Sequence, residues 1–104
     1  MPVNEQPRPA ARIEQIAAIL DRVVAIVESG PQDLVWQQRY RDENELIRDL
    51  TGHAARLRDG DTGGLRELSL LFAPTGTLCE IAASNGWLEE YTVLGNRLDS
   101  LLHT

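Results

Sequence analysis

The chain has 104 residues, with 42% hydrophobic and 25% charged side chains and a net charge of -6 at neutral pH. This length is enough for one domain with a hydrophobic core, and the composition is that of a folded protein rather than a disordered one. The acidic charge argues against nucleic-acid binding, and the short apolar runs argue against a membrane-spanning helix, which needs about 20 apolar residues.

The N-terminal stretch predicts a flexible tail over residues 1–9, because it is rich in proline and poor in apolar side chains. It lacks the apolar core of a signal peptide, so we expect a cytoplasmic protein. From residue 10 onwards, apolar residues recur every three or four positions, which predicts an amphipathic helix over 10–29. Ser29-Gly30-Pro31 would end this helix.

A second apolar stripe predicts helical structure over residues 32–58, although the stripe misses one step at Glu43. Two arrangements fit this pattern: one long helix that bends, or two shorter helices with a break near residues 41–44. We predict the single helix. Arg58-Asp59-Gly60-Asp61 has the composition of a turn and would end it.

Two further helices are predicted in the C-terminal part. Regularly spaced leucines predict a short helix over 63–73, which Pro74 would close. A Leu-rich stripe predicts the last helix over 87–102. Glu89 and Glu90 fall in its first turn, where the positive end of the helix dipole favours acidic side chains.

The connection over residues 74–86 separates these two helices. Thr77 and Glu80 have the spacing of a capping box, so we predict a short helical turn near 78–84. A strand over 79–84 is the alternative, but the sequence offers no convincing second strand to pair with it. The predicted fold is all-α: a small bundle of four principal helices, with a short helical turn in this connection, forming a single domain after the N-terminal tail.

The sequence LLFAPTGTLCEI, followed by NGW and EEY, resembles small single-domain bacterial proteins of uncharacterised function. Their shared feature is a segment of the form LFxPxGxLxEI…NGW before an acidic, Leu-rich helix. The resemblance covers about Leu70 to Leu98. Some bacterial proteins of this size and charge are immunity proteins, which inhibit cognate toxins, and the analogy implies the same role here.

Candidate catalytic and metal-binding groups are few. Cys79 is the single cysteine, and together with His53 and His103 it gives no CxxC or HxxxH spacing, so we expect no metal and no cofactor. Cys79 lies in an apolar run and is expected to be buried and inert. His53 is expected to be a solvated or partly satisfied side chain on the second helix. We therefore predict that the protein is not an enzyme.

The acidic charge is uneven along the chain. Residues 61–104 hold six acidic residues and two arginines, so they carry most of the net charge of -6. A basic protein surface would be attracted to this part first. The predicted function is therefore that of a non-enzymatic binding protein with a basic toxin domain as partner. The alternative is a homodimer that uses the apolar stripes of the first and last helices as its seam.

The two tryptophans are the largest apolar side chains, and we expect both Trp36 and Trp87 in the core. An exposed Trp87 would instead be the aromatic centre of an interface with an acidic rim. The predicted partner-binding residues are Trp87, Glu89, Glu90, Asp61 and Glu80.

Overall fold

A computed structural model describes residues 9–30, 40–73 and 76–103 of the chain. These residues form helices and connecting turns without any strand, which confirms the all-α prediction. The helices within them are α1 Pro9–Glu28, α2 Glu43–Arg58, α3 Leu65–Leu71, α4 Thr77–Ser84 and α5 Leu88–Leu102. The predicted count of four principal helices is not confirmed, because the described residues already contain five.

Helix α1 agrees with the predicted 10–29 to within one residue at each end. Pro9 suits its first turn, where a backbone N–H would have no partner within the helix. The predicted apolar stripe faces the core. At most 1% of the surface is exposed at each of Ile16, Leu20, Val23 and Val27. The remainder of the predicted tail, residues 1–8, lies outside the described residues.

Helix α2 begins later than predicted because Asp42 caps its N-terminus. Asp42 has an extended backbone, and its side chain accepts a hydrogen bond from the amide of Glu45 at 2.9 Å. The carboxylate of Glu45 accepts one from the amide of Arg41 at 2.7 Å. These two bonds fix the N-terminus of α2 at this point. The prediction of one helix over 32–58 is therefore wrong, and residues 31–39 lie outside the described residues.

The turn between α2 and α3 follows Arg58, as predicted. Gly60 has a φ of 88°, a left-handed conformation that glycine adopts without steric cost. Helix α3 spans Leu65–Leu71 and is shorter than the predicted 63–73. Pro74, which was expected to close this helix, lies outside the described residues.

The predicted helical turn near 78–84 is a full helix, α4, and it begins one residue earlier. Its N-cap is Gly76, so the prediction that Thr77 caps it is wrong. The backbone leaves no room for a side chain at Gly76. A Cβ there would lie 2.7 and 2.8 Å from two carbonyl oxygens at the end of α3. This close approach connects α3 to α4 and requires glycine.

Helix α5 spans Leu88–Leu102, close to the predicted 87–102. Gly86 has a φ of 83° and turns the chain between α4 and α5. The amide of Trp87 then donates a hydrogen bond to the carbonyl of Ala82 at 3.0 Å. The turn therefore directs the Trp87 ring back towards the core.

All five helices of the described part share one core. Helix α1 packs mainly along α2, and α5 contacts α1, α3 and α4. Each helix contributes at least one completely buried residue, among them Leu20, Leu50, Leu68, Ile81 and Leu98. On the outside, Arg58 of α2 contacts Glu14 and Asp21 of α1 at 2.8 and 2.9 Å. None of the described helices has the length and apolar character needed to cross a membrane.

Candidate functional site

Trp87, the predicted aromatic centre of a partner surface, lies in the core. It is 8% exposed, and its ring meets Tyr91 edge to face with the ring centroids 6.0 Å apart. The expectation that Trp87 lies in the core is thus confirmed. Its place among the partner-binding residues is corrected, because the protein itself covers most of the ring. Trp36, also expected in the core, lies outside the described residues.

Glu90, the second predicted partner residue, is held in an ion pair. Its carboxylate lies 2.6 Å from the guanidinium of Arg22, which links α5 to α1. The two side chains are 41% and 55% exposed, so solvent screens the pair and it contributes less than about 1 kcal/mol. The charge of Glu90 is nevertheless compensated within the chain. It adds less to the external field than its position in the sequence suggests.

Asp61, Glu80 and Glu89, the other predicted partner residues, are exposed. Asp61 accepts a hydrogen bond from the amide of Gly63 at 2.9 Å, which orders the turn before α3. Glu80 and Glu89 form no ion pair with any residue that the structure describes. Asp61 lies in the turn before α3, Glu80 in α4 and Glu89 in α5. Trp87 and Glu90, by contrast, border the same shallow depression.

An exposed apolar residue accompanies Glu89 on α5. Val93 is 65% exposed and lies one helical turn after Glu89, so both side chains project from the same face of the helix. We call these two residues the Glu89–Val93 face. Val93 was not among the predicted partner-binding residues, and it lies off the Leu stripe of the helix. That departure was the only signal in the sequence.

A cavity of about 410 Å³ lies beside α5, where α3 and α4 approach it. Its walls include Phe72, Cys79, Tyr91 and Leu98. The Phe72 and Tyr91 rings stack with their centroids 5.8 Å apart. The Tyr91 hydroxyl is buried and has no hydrogen-bond partner among the described residues. Burial, and secondarily the nearby Cys79, raises the pKa of this hydroxyl, so it stays protonated and can donate.

Cys79 is half-buried on the wall of this cavity. A thiol nucleophile needs a neighbouring base. His103 instead contacts Asp99, with Nδ1 3.2 Å from the carboxylate, and His53 lies in a separate cluster. The cavity therefore offers a hydroxyl donor and a thiol among apolar walls, without a histidine from the described residues beside the sulfur.

Three potential metal ligands, Asp49, His53 and Glu67, meet between α2 and α3. Nε2 of His53 lies 3.6 Å from Oδ1 of Asp49 and 3.6 Å from Oε1 of Glu67. Both distances exceed those of N–H···O hydrogen bonds, which are about 2.7–3.2 Å. His53 is 2% exposed, and its Nε2 has no hydrogen-bond partner within the described residues. His53 was expected to be solvated or partly satisfied, and its burial shows that the solvated alternative is wrong.

Two neighbouring groups fix the geometry of this cluster. The Tyr40 hydroxyl donates to Oδ2 of Asp49 at 2.6 Å, which leaves Oδ1 towards the imidazole. Gly64, the N-cap of α3, lies directly against the ring of His53. A Cβ on Gly64 would be 2.9 Å from Nδ1. The missing side chain allows α3 to approach, and the first turn of α3 then brings Glu67 to the other ring nitrogen.

This cluster was not predicted, because its ligands follow neither a CxxC nor an HxxxH spacing. Asp49 and His53 are four residues apart on α2, which places them on one face of the helix, and this spacing was the available signal. Glu67 belongs to α3. Its proximity depends on how α3 packs against α2, which residue spacing alone does not give.

Comparison of the chain with protein-family models, with curated proteins and with solved structures finds no match. The resemblance of the segment from Leu70 to Leu98 to small bacterial proteins therefore stays a prediction.

Proposed function

We propose that this chain is a non-enzymatic acidic binding protein. In this proposal it is an immunity protein that neutralises a toxin with a basic surface by protein–protein contact. The observation that carries the proposal is the Glu89–Val93 face, where an exposed apolar side chain lies beside a carboxylate that forms no ion pair with a described residue. This face belongs to residues 61–104, which hold six acidic residues against two arginines.

The two residues supply the two components of a protein interface. Covering Val93 removes apolar surface from water, which contributes about 25 cal/mol for each Å² buried. Glu89 attracts a basic surface, and long-range attraction of this kind raises the association rate more than it slows dissociation. The proposal places the basic partner on this face, with Glu80 as a further exposed charge on the neighbouring α4. Neither Trp87 nor Glu90 is required to change its contacts.

The test uses the protein encoded next to the gene of this chain as the partner. Calorimetry at low salt would measure its affinity for the full chain and for Glu89→Lys. Reversing one interfacial charge replaces an attraction with a repulsion, and we expect the affinity to fall on the order of tenfold. The loss should shrink at high salt, because added ions screen exposed charges.

Glu28→Lys is the matched control. Glu28 is an exposed acidic residue on α1 without an ion pair to any described residue, so both variants change the net charge equally. The proposal expects the control to retain at least half of the affinity. An absence of binding by the unmodified chain at low salt, or an equal loss in both variants, would contradict it.

Self-association is the second candidate, and one observation favours it: Leu70, Val93 and Leu88 are exposed at 66%, 65% and 42%. The predicted seam on α1 and α5 would have to change, because residues such as Leu20 and Leu98 are already buried within the chain. Light scattering of the full chain tests this candidate. A dimer that persists at high salt and dissociates on Val93→Arg supports it, and a monomer at all concentrations removes it.

A further inference from the structure

We infer that Asp49, His53 and Glu67 form a binding site for a divalent transition-metal ion of the zinc type, which bridges α2 and α3. The site is independent of the acidic face of α5, and no function assigned to the chain above requires it. The inference rests on the buried Nε2 of His53, which points at two carboxylates and has no hydrogen-bond partner among the described residues.

The spacing of the three ligand atoms fits such an ion. One ligand atom from each residue lies within 4.8 Å of the others, and Nε2 of His53 is 3.6 Å from each carboxylate. An ion equidistant from three atoms with these separations, and in their plane, would lie about 2.4 Å or less from each. Bonds from Zn²⁺ to histidine nitrogen and to carboxylate oxygen measure about 2.0–2.2 Å. Ligand movements of a few tenths of an ångström would complete the coordination.

The donor set indicates the class of metal. An imidazole nitrogen suits Zn²⁺ and other transition ions, whereas Mg²⁺ and Ca²⁺ prefer oxygen ligands alone. The two carboxylates also attract a divalent cation electrostatically. The Glu67 side chain is 50% exposed, so an ion could enter from that side and keep a water molecule as a further ligand.

The surroundings orient the ligands as outer groups do in known metal sites. The Tyr40 hydroxyl holds one oxygen of Asp49 at 2.6 Å and thereby directs the other towards His53. Gly64 packs against the Nδ1–Cε1 edge of the imidazole and restricts the ring. A rigid ligand loses little entropy on binding the metal, and hydrogen bonds to ligands typically improve metal affinity about 10–100-fold.

The rival arrangement is a structural one, in which a protonated His53 lies between two carboxylates without any ion. It predicts hydrogen bonds from the imidazole, while the observed separation of 3.6 Å on both sides is too long for them. The two arrangements differ in their response to added Zn²⁺. Only the metal site requires Glu67 for that response.

The experiment titrates the full-length chain with ZnCl₂ against a chromophoric chelator. We expect one equivalent to bind. Glu67→Gln should weaken binding at least tenfold, because it removes one of the two charged ligands. Glu80→Gln, which neutralises an exposed carboxylate on α4 away from the cluster, should leave the affinity unchanged, and so should Cys79→Ser.

Nitrogen-15 NMR of the histidine rings provides a readout that does not depend on stability. Zn²⁺ should shift Nε2 of His53, and Mg²⁺ at the same concentration should not. The inference is overturned if the chain binds no Zn²⁺, if Glu67→Gln and Glu80→Gln bind equally well, or if Cys79→Ser abolishes binding. A shift at His103 with none at His53 would overturn it as well.

Discussion

Two buried tyrosines should respond in opposite directions to the same substitution. Tyr40 and Tyr91 are 5% and 3% exposed, so Tyr→Phe removes one buried oxygen in each case. The Tyr40 hydroxyl donates to Asp49 at 2.6 Å, whereas the Tyr91 hydroxyl has no partner among the described residues. A hydrogen bond to a charged group contributes about 1.5–3 kcal/mol, and a buried polar group without a partner costs about 1–3 kcal/mol.

We therefore expect Tyr40→Phe to lower the free energy of unfolding by about 2 kcal/mol and Tyr91→Phe to raise it by about 1 kcal/mol. In a domain of this size, 1 kcal/mol corresponds to a shift of about 4–8 °C in the melting temperature. Urea denaturation followed by circular dichroism measures both values, and an unchanged m-value shows that the two variants unfold as the unmodified chain does. A loss of 1 kcal/mol or more in Tyr91→Phe would contradict this expectation, since it would mean that the hydroxyl makes a favourable hydrogen bond in the cavity.

Three other expectations concern stability. Gly76→Ala should destabilise the protein by about 1–3 kcal/mol, because its Cβ would lie 2.7 Å from a backbone carbonyl. Gly30→Ala, where no atom of the described residues lies within 4 Å of the added Cβ, should change stability by about 0.5 kcal/mol or less. Equal effects in thermal melts would contradict this. Burial raises the pKa of Tyr91 in the folded state, so above pH 10 the unfolded chain releases the Tyr91 proton and the folded chain keeps it. The unmodified chain should therefore lose stability relative to Tyr91→Phe in alkaline denaturation. Parallel curves for the two proteins would contradict this. The hydrogen bond from Arg58 lowers the pKa of Glu14, so the stability from this pair is present above pH 4.5 and is lost as the pH falls through the folded-state pKa. The difference in free energy of unfolding between the unmodified chain and Arg58→Gln should therefore disappear in acid. A difference that stays constant with pH would argue against the pair.

The helical periodicity of the sequence predicted the all-α class and the bounds of α1 and α5 well. Apolar residues at steps of three and four determine which side of a helix is buried, and this holds whatever the helix packs against. The first residue of α2 was predicted less well. The apolar stripe misses one step at Glu43, which fits either a bend or a break near residues 41–44. Asp42 competes for the backbone amides there, and the stripe alone does not reveal that competition.

The cap of α4 could not be predicted from residue types. Thr77 has the better intrinsic capping side chain, but the position before it lies against the carbonyls of α3, where only glycine fits. Such close approaches depend on tertiary packing, and residue spacing along one helix does not report them.

The candidate surfaces show the same distinction between what the sequence predicts and what depends on tertiary packing. Glu80 and Glu89, two of the predicted partner residues, are exposed, but the sequence could not show that Arg22 pairs with Glu90 or that Trp87 is covered. Both facts depend on the packing of α5 against α1 and α4. The cluster around His53 likewise needs two helices. One pair of its ligands is visible in the sequence as a four-residue spacing, and the third becomes a neighbour only after folding.

The most direct test of the proposed binding surface is an NMR titration of the full chain with the protein encoded by the adjacent gene. If the Glu89–Val93 face binds that partner, the largest changes in the amide and methyl signals will fall on Glu89, Val93 and the neighbouring residues of α5. Changes confined to α1 and α2, or spectra that the partner leaves unaltered at low salt, would contradict the account.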